Sequence, residues 1–525
     1  MSDTKDAPST FLIWNPAGTV DKKDQVFRRH RHAAIVHHQR RKRRDGQSES
    51  RISSKILPSK PSPKDSAAIT TPSSSQHSSS TSSGGASPII EPASGRIDPF
   101  DVLCIQGFPS EALSLVQFAI KDQWPAFTSS SQPQVIEKWR STTMHLAMEA
   151  PYLLQAITYA GCCYQLFFGS GDHSTEFLRL NSHHETIKYV RDALYTSNGV
   201  ISDAMLMSIA ILGVHSSSLP PQQRPRAQDT MSHDNDFYSS QPWDQTHINA
   251  VLLFTKRKGG LESIMVEDLR GMINVIDVQD SLGTLRKPTF PLPVSTTTAI
   301  QSICAKWSPD RRRKFASRQN GFKCLLEIDG GEDLFNLTTR ICSLLESFDL
   351  MLQEGPQSGM DFNFLVAIRR YLQHDALSLP LHRDPLHKLC RLAIITYMAE
   401  SIEPSSAQWP LHATASKALM LALDECDKIG IGERQPELLT WATVVGAFTA
   451  RDTPLFEWYI EQLCSYPFTK AGGSWDEVQQ QSERYLVLKY RHGQLCGKVW
   501  ETARSRSSED RSSLPLRHSI IPLTQ

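Results

Sequence analysis

The sequence predicts an all-α fold: a large helical domain behind a disordered basic arm and a Ser-rich linker. Three observations carry this. Beyond residue 98, apolar residues recur at intervals of three and four over most of the chain. Alternating strand patterns are nearly absent from the same region. Before residue 98 the composition offers almost nothing to bury.

Four stretches follow in order: 1–50, a basic arm; 51–97, a linker; 98–504, the helical domain; and 505–525, a frayed tail. The arm has one apolar island, Phe11-Leu12-Ile13-Trp14. It then carries eight Arg/Lys and four His within residues 28–44, with no acid among them. Residues 59–88 hold twelve Ser, three Thr and four Pro. Such a segment cannot offset its ordering entropy and is expected to be disordered. Residues 1–97 balance to +8 and the remainder to −7, although the whole chain is +1. A basic arm on a mildly acidic body suits binding of a polyanion through the arm.

Within the body, Pro109-Ser110 opens a segment whose Leu113, Val116, Ala119 and Ile120 share one helical face before Trp124-Pro125. Residues 152–168, YLLQAITYAGCCYQLFF, are apolar nearly all round and predict a central buried helix. Their length is near the lower limit for a membrane span, and Gln155, Gln165 and Gly161 weigh against one. Ser202-Asp203 can cap the apolar run AMLMSIAIL. Residues 216–245, rich in Pro, Gln, Ser and Asp, predict a long mobile loop, followed by a helix over 248–257. Further helices are predicted over 334–351, 362–372, 386–400, 413–426, 437–448, 455–464 and 475–504.

Chemical signatures are incomplete. His184-Glu185 begins H-E-x-x-H, but Lys188 replaces the second His, and two ligands one turn apart are needed to share a metal. Gly430-Ile431-Gly432 begins a dinucleotide fingerprint, but Gln435 replaces the third Gly. Asn336-Leu337-Thr338 fits a glycosylation acceptor in a chain whose polar, charged start predicts no secretory signal. The ten cysteines include no C-x-x-C, so reduced core thiols are expected, without disulfides. His30, His32, His37 and His38 lack a folded frame to close a metal site. No catalytic residue, cofactor or metal is expected, and the function points to binding, not an enzyme.

The compact run Arg40, Arg41, Lys42, Arg43 and Arg44 suits a nuclear import signal, which needs only an exposed cationic peptide. Arg28, Arg29, Arg31, Arg40, Arg41, Arg43 and Arg44 are candidates for DNA phosphate contacts. A basic leucine zipper would need heptads directly after the block. From Asp45 the chain instead turns polar, then Ser/Pro-rich. No cysteine precedes Cys104, so the arm holds no zinc cluster. A merely solubilising tail is the bland alternative.

With these residues in hand, the chain resembles the fungal-specific transcription factor family, in the branch lacking the N-terminal two-zinc, six-cysteine cluster. Phe11-Leu12-Ile13-Trp14-Asn15-Pro16 followed by the basic block looks like that branch's opening. Asp98-Pro99-Phe100 matches the start of its folded part. Lys258-Gly259-Gly260-Leu261 is similar to its [KR]-G-G-L turn. Val275-Ile276-Asp277-Val278-Gln279-Asp280 stands where the family places a helix with a central Asp, and Trp441–Ala447 looks like its W-x-x-x-x-G-A helix. The resemblance implies an all-helical regulatory domain in a nuclear regulator of transcription, of a metabolic or secondary-metabolite gene cluster. Expected partners are a nuclear import receptor, DNA through the arm, the transcription machinery or partner regulators, and a second copy in a homodimer. No membrane is expected. A helical scaffold or co-regulator without direct DNA contact is the alternative.

Overall fold

The computed structural model describes residues 108–513, apart from 109, 125–127, 129, 170, 216–236, 239–241, 319, 403–409, 452, 471–472 and 487–490. The expected arm and linker, and the Asp98-Pro99-Phe100 start, lie outside the described residues. Among the described residues there is no strand, and the fold is all-α.

Helix starts follow local chemistry. Ser110–Phe118 (α1) runs on through a π-helical turn, Ala119–Gln123. Pro133–Glu149 (α2) and Pro151–Phe167 (α3) both carry Pro in the first turn, where its fixed φ suits the helix and no N–H is missed. Asp172 closes a capping box on His173–Thr196 (α4). Ser202 caps Asp203–Val214 (α5), as predicted, by accepting from the Met205 N–H at 3.1 Å. Asp244 caps Gln245–Lys258 (α6). Then come Glu267–Thr284 (α7), Thr296–Cys304 (α8), Pro309–Ala316 (α9), Glu332–Glu354 (α10) and Phe362–Ser378 (α11). Pro385–Glu400 (α12), Pro410–Lys428 (α13), Ile431–Arg434 (α14) and Pro436–Ala450 (α15) follow. Leu455–Ser465 (α16), Pro467–Lys470 (α17), Trp475–Ser482 (α18) and Arg491–Ser513 (α19) complete the series.

The described residues form one compact unit within Asp98–Gln525. It buries two apolar clusters. The first gathers α1 to α6 around α5 and the largely buried α3. The second gathers α8 to α19 around α12 and α15. Helix α7 belongs to both: Leu269, Ile273 and Ile276 pack into the first, Val278 and Leu282 into the second. A second tie is Asp361, which caps α11 and accepts from the Ser131 N–H and hydroxyl at 2.9 Å each.

Four features differ from the sequence expectation. The helix expected over 475–504 is two, α18 and α19. Between them Tyr485 and Leu486 turn inward: the Tyr485 ring stacks on Trp441, and the Trp441 indole N–H donates to Leu486 O at 3.1 Å. Buried aromatic packing there outweighs local helix propensity. Helix α19 also runs past 504 to Ser513, into the expected tail. Most of the expected 216–245 loop lies outside the described residues, but Phe237 is fully buried against Tyr164 and Phe167. Finally, α2 and α4 are full helices that the sequence expectation did not delimit.

Candidate functional site

Every import and phosphate-contact candidate, from Arg28, Arg29 and Arg31 to Arg40, Arg41, Lys42, Arg43 and Arg44, lies outside the described residues. So do the four arm histidines. The body shows where the motif residues and the buried polar groups go.

Lys258-Gly259-Gly260-Leu261 closes α6. Gly259 has φ of 115°, a left-handed conformation that a side chain resists. The Gly260 N–H returns to Thr255 O at 2.9 Å, satisfying the helix end, and Leu261 is buried. Lys258 Nζ donates to Ile201 O at 2.7 Å and stands 3.3 Å from Asp203 Oδ1. Asp203 Oδ2 in turn accepts from the Met265 and Val266 N–H groups at 2.7 and 3.0 Å, at the start of α7. One Lys–Asp pair thus ties together α5, α6 and α7. Beside it opens a cleft of about 410 Å³ lined by Leu194, Val200, Ile201, Phe254, Arg257 and Lys258.

The central Asp of α7 is a buried joint. Asp277 Oδ2 accepts from the Phe290 N–H at 2.8 Å, and Phe290 O accepts from His374 Nε2 of α11 at 2.9 Å. Asn274 and Ser281 stand on the same helical face and are also buried. A polar strip therefore runs along the helix that both cores share.

A buried charge cluster was not legible in the sequence. Glu400, at the end of α12, and His412, in the first turn of α13, are both essentially inaccessible. His412 Nδ1 lies 2.9 Å from Glu400 Oε1, off the line that a hydrogen bond needs. Arg451 Nη1 reaches the same oxygen at 3.4 Å. Buried charges are retained where they are paired, and this cluster joins α12, α13 and the end of α15. The only sequence signal was a single polar residue at the edge of each apolar run.

The incomplete signatures have ordinary structural roles. Lys188 ion-pairs with Glu185 at 3.3 Å, and His183 packs against the Tyr159 ring. Gly430 is the left-handed start of the short helix α14, and the element described before it is helix α13, not a strand. The nine cysteines among the described residues are all free, and seven of them are buried. Burial, helped by repulsion from Cys163 and Glu176, pushes the Cys162 thiol up to about 12. A thiol held protonated is a poor nucleophile.

A polar relay runs through the first core. The Trp124 indole N–H donates to Tyr164 Oη at 2.9 Å. Tyr164 and Tyr238 share a hydroxyl–hydroxyl hydrogen bond. Tyr238 bonds His215 Nε2 at 3.0 Å, and His215 Nδ1 lies 2.9 Å from Ile211 O. A carbonyl only accepts, so Nδ1 carries the proton and Nε2 accepts from Tyr238. Burial drives the His215 ring down to about 3.

No helix among the described residues is long and apolar enough to cross a membrane. Compared with models of known protein families, with curated proteins and with solved structures, the chain has no match.

Proposed function

We propose that this protein is a nuclear regulator of transcription of the fungal-specific transcription factor type, acting by binding and not by catalysis. The single observation that carries this reading is the charge split: +8 over residues 1–97 against −7 over the remainder. Dense cations at 28–44 suit an import receptor and DNA phosphates, and a net acidic body does not compete for the same polyanion. The all-helical body fits a regulatory domain that dimerises, senses an effector or contacts the transcription machinery. Regulation of a metabolic or secondary-metabolite gene cluster follows from the resemblance alone.

Sequence specificity has no zinc cluster and no zipper to supply it in the arm. In this reading it comes from a dimer, a partner or a surface of the body. The acidic balance of the body favours a second reading, a helical scaffold or co-regulator that never touches DNA.

Import is tested by replacing Arg40, Arg41, Lys42, Arg43 and Arg44 with Ala and imaging a fluorescent fusion. Nuclear accumulation is expected to be lost. Unchanged accumulation removes the import role.

A further inference from the structure

Half of the exposed large apolar side chains among the described residues lie on α4, the turn after it and α6: Phe177, Leu180, Ile187, Tyr189, Tyr195, Val200 and Leu253, of fourteen. Phe177 is 74% exposed, Leu180 53%, Tyr195 78% and Val200 69%. Their spacing places Phe177, Leu180, His184, Ile187, Arg191 and Tyr195 along one outward face of a 24-residue helix, while Ser182, Thr186 and Val190 hold the inward face. Outward apolar spacing of three and four is the pattern of a helix that pairs with another helix. Contiguous apolar surface of this kind marks an interaction site.

We propose that this face is a homodimer interface, in which α4 of one copy lies antiparallel on α4 of a second across a two-fold axis that passes between His184 and Ile187. The charge pattern selects a second copy. At the start of α4, Asp172 is an exposed carboxylate at the N-cap, while Glu176 in the first turn is already paired with Arg179 at 2.7 Å. Beyond its other end lies the cleft with Leu194, Val200 and Phe254 as apolar lining; Lys258 on its wall is held by Asp203, which leaves Arg257 as the cation that faces outward. Arg257 is exposed. An antiparallel pair brings the acidic, Phe177-bearing end of each copy to the cationic, apolar end of the other. The two contacts are identical, as a two-fold interface requires. Phe177 then meets the partner's Tyr195, and His184 meets the partner's Ile187. The opposed helix dipoles add to the attraction.

The size of the face sets its strength. A 24-residue helix is about 36 Å long and about 10 Å wide, which covers roughly 360 Å² on each copy. The total, about 700 Å², is below the usual size of stable interfaces and belongs with weak, transient ones. The dimer is therefore weak and concentration-dependent. It deepens the dimerisation role in the proposed function and rests on that role alone; the test reads association without DNA, so its failure leaves the import reading standing.

The experiment is sedimentation equilibrium of the full chain from about 1 to about 100 µM, with photo-cross-linking from a benzoylphenylalanine at position 195. A monomer–dimer equilibrium is expected, with the Kd raised about tenfold or more by Leu180→Asp and by Tyr195→Lys. Both positions are exposed, so the fold is kept. Leu381→Asp, 86% exposed on another surface, is expected to leave the Kd unchanged. The cross-link is expected in a species of twice the chain mass, to the peptide holding Phe177. A chain that stays monomeric at about 100 µM, a Kd unmoved by both variants, or a cross-link within one chain to its own arm would each overturn the proposal. A cross-link joining position 195 to position 195 would overturn the antiparallel arrangement.

Discussion

His215 carries a titratable ring into an apolar core with hydroxyl and carbonyl partners but no carboxylate. Burial lowers its pKa in the fold to about 3 from the ordinary 6.5. Between those values the unfolded chain binds a proton that the fold refuses, so stability falls as pH falls. Full stability is present above about pH 6.5, and roughly 2 kcal/mol is lost by pH 5 through this group. Urea unfolding at pH 7 and pH 5 measures the loss. His215→Gln, which cannot titrate, is expected to remove the share of that pH dependence due to this ring, leaving that of His183 and His387, which burial also lowers, while costing stability at pH 7. Equal pH dependence in both proteins would refute the assignment. The sequence shows His215 at the end of an apolar helix but not the Tyr238 that meets it across 23 positions. Long-range hydrogen bonds leave no local pattern, and Glu400, His412 and Arg451 were missed for the same reason.

At the scale of elements, Trp441-Ala442-Thr443-Val444-Val445-Gly446-Ala447 shows why a motif glycine is needed without special backbone angles. Helix α16 crosses α15 so closely that a Cβ on Gly446 would collide with the Tyr459 ring. That ring cannot swing away freely, because its hydroxyl donates to Ser416 O at 2.6 Å and it is fully buried. Gly446→Ala is expected to cost about 1–3 kcal/mol in urea unfolding. Gly271→Ala, in α7 with open space around the new methyl, is expected to stabilise by up to about 1 kcal/mol. If the two variants behave alike, the close crossing is not what the glycine serves. Buried helices were readable because their sequence is apolar all round, as in α3, α5 and α15. Helix α4 was not delimited, because its buried positions are mostly polar, Ser182 and Thr186 beside Val190, while its large apolar residues stand on the outer face. The break between α18 and α19 has no Gly or Pro at 483–486 to announce it; Tyr485 and Leu486 make it by entering the core.

Over the whole molecule, the described fold is two apolar cores strung on α7, with polar joints where they meet. The all-helical class was legible from periodicity, since both cores are built from one kind of element. The role proposed for the arm rests on charge alone. Charge density states which class of partner is attracted, whereas a site needs geometry that 28–44 does not encode in its sequence alone. A dimer through α4 would carry two arms, and linked weak contacts with DNA strengthen each other through effective concentration. The central claim is that the arm grips a polyanion while the body does not. Its most direct test is a salt titration of DNA binding by the full chain and by a chain lacking residues 1–50. The full chain is expected to show log K falling with log salt at about 0.7–0.9 per phosphate neutralised. With seven candidate arginines the slope reaches at most about 5 to 6, and removal of 1–50 is expected to abolish it. A slope that survives the deletion, or no binding by the full chain even at low salt, would contradict the claim and favour the scaffold.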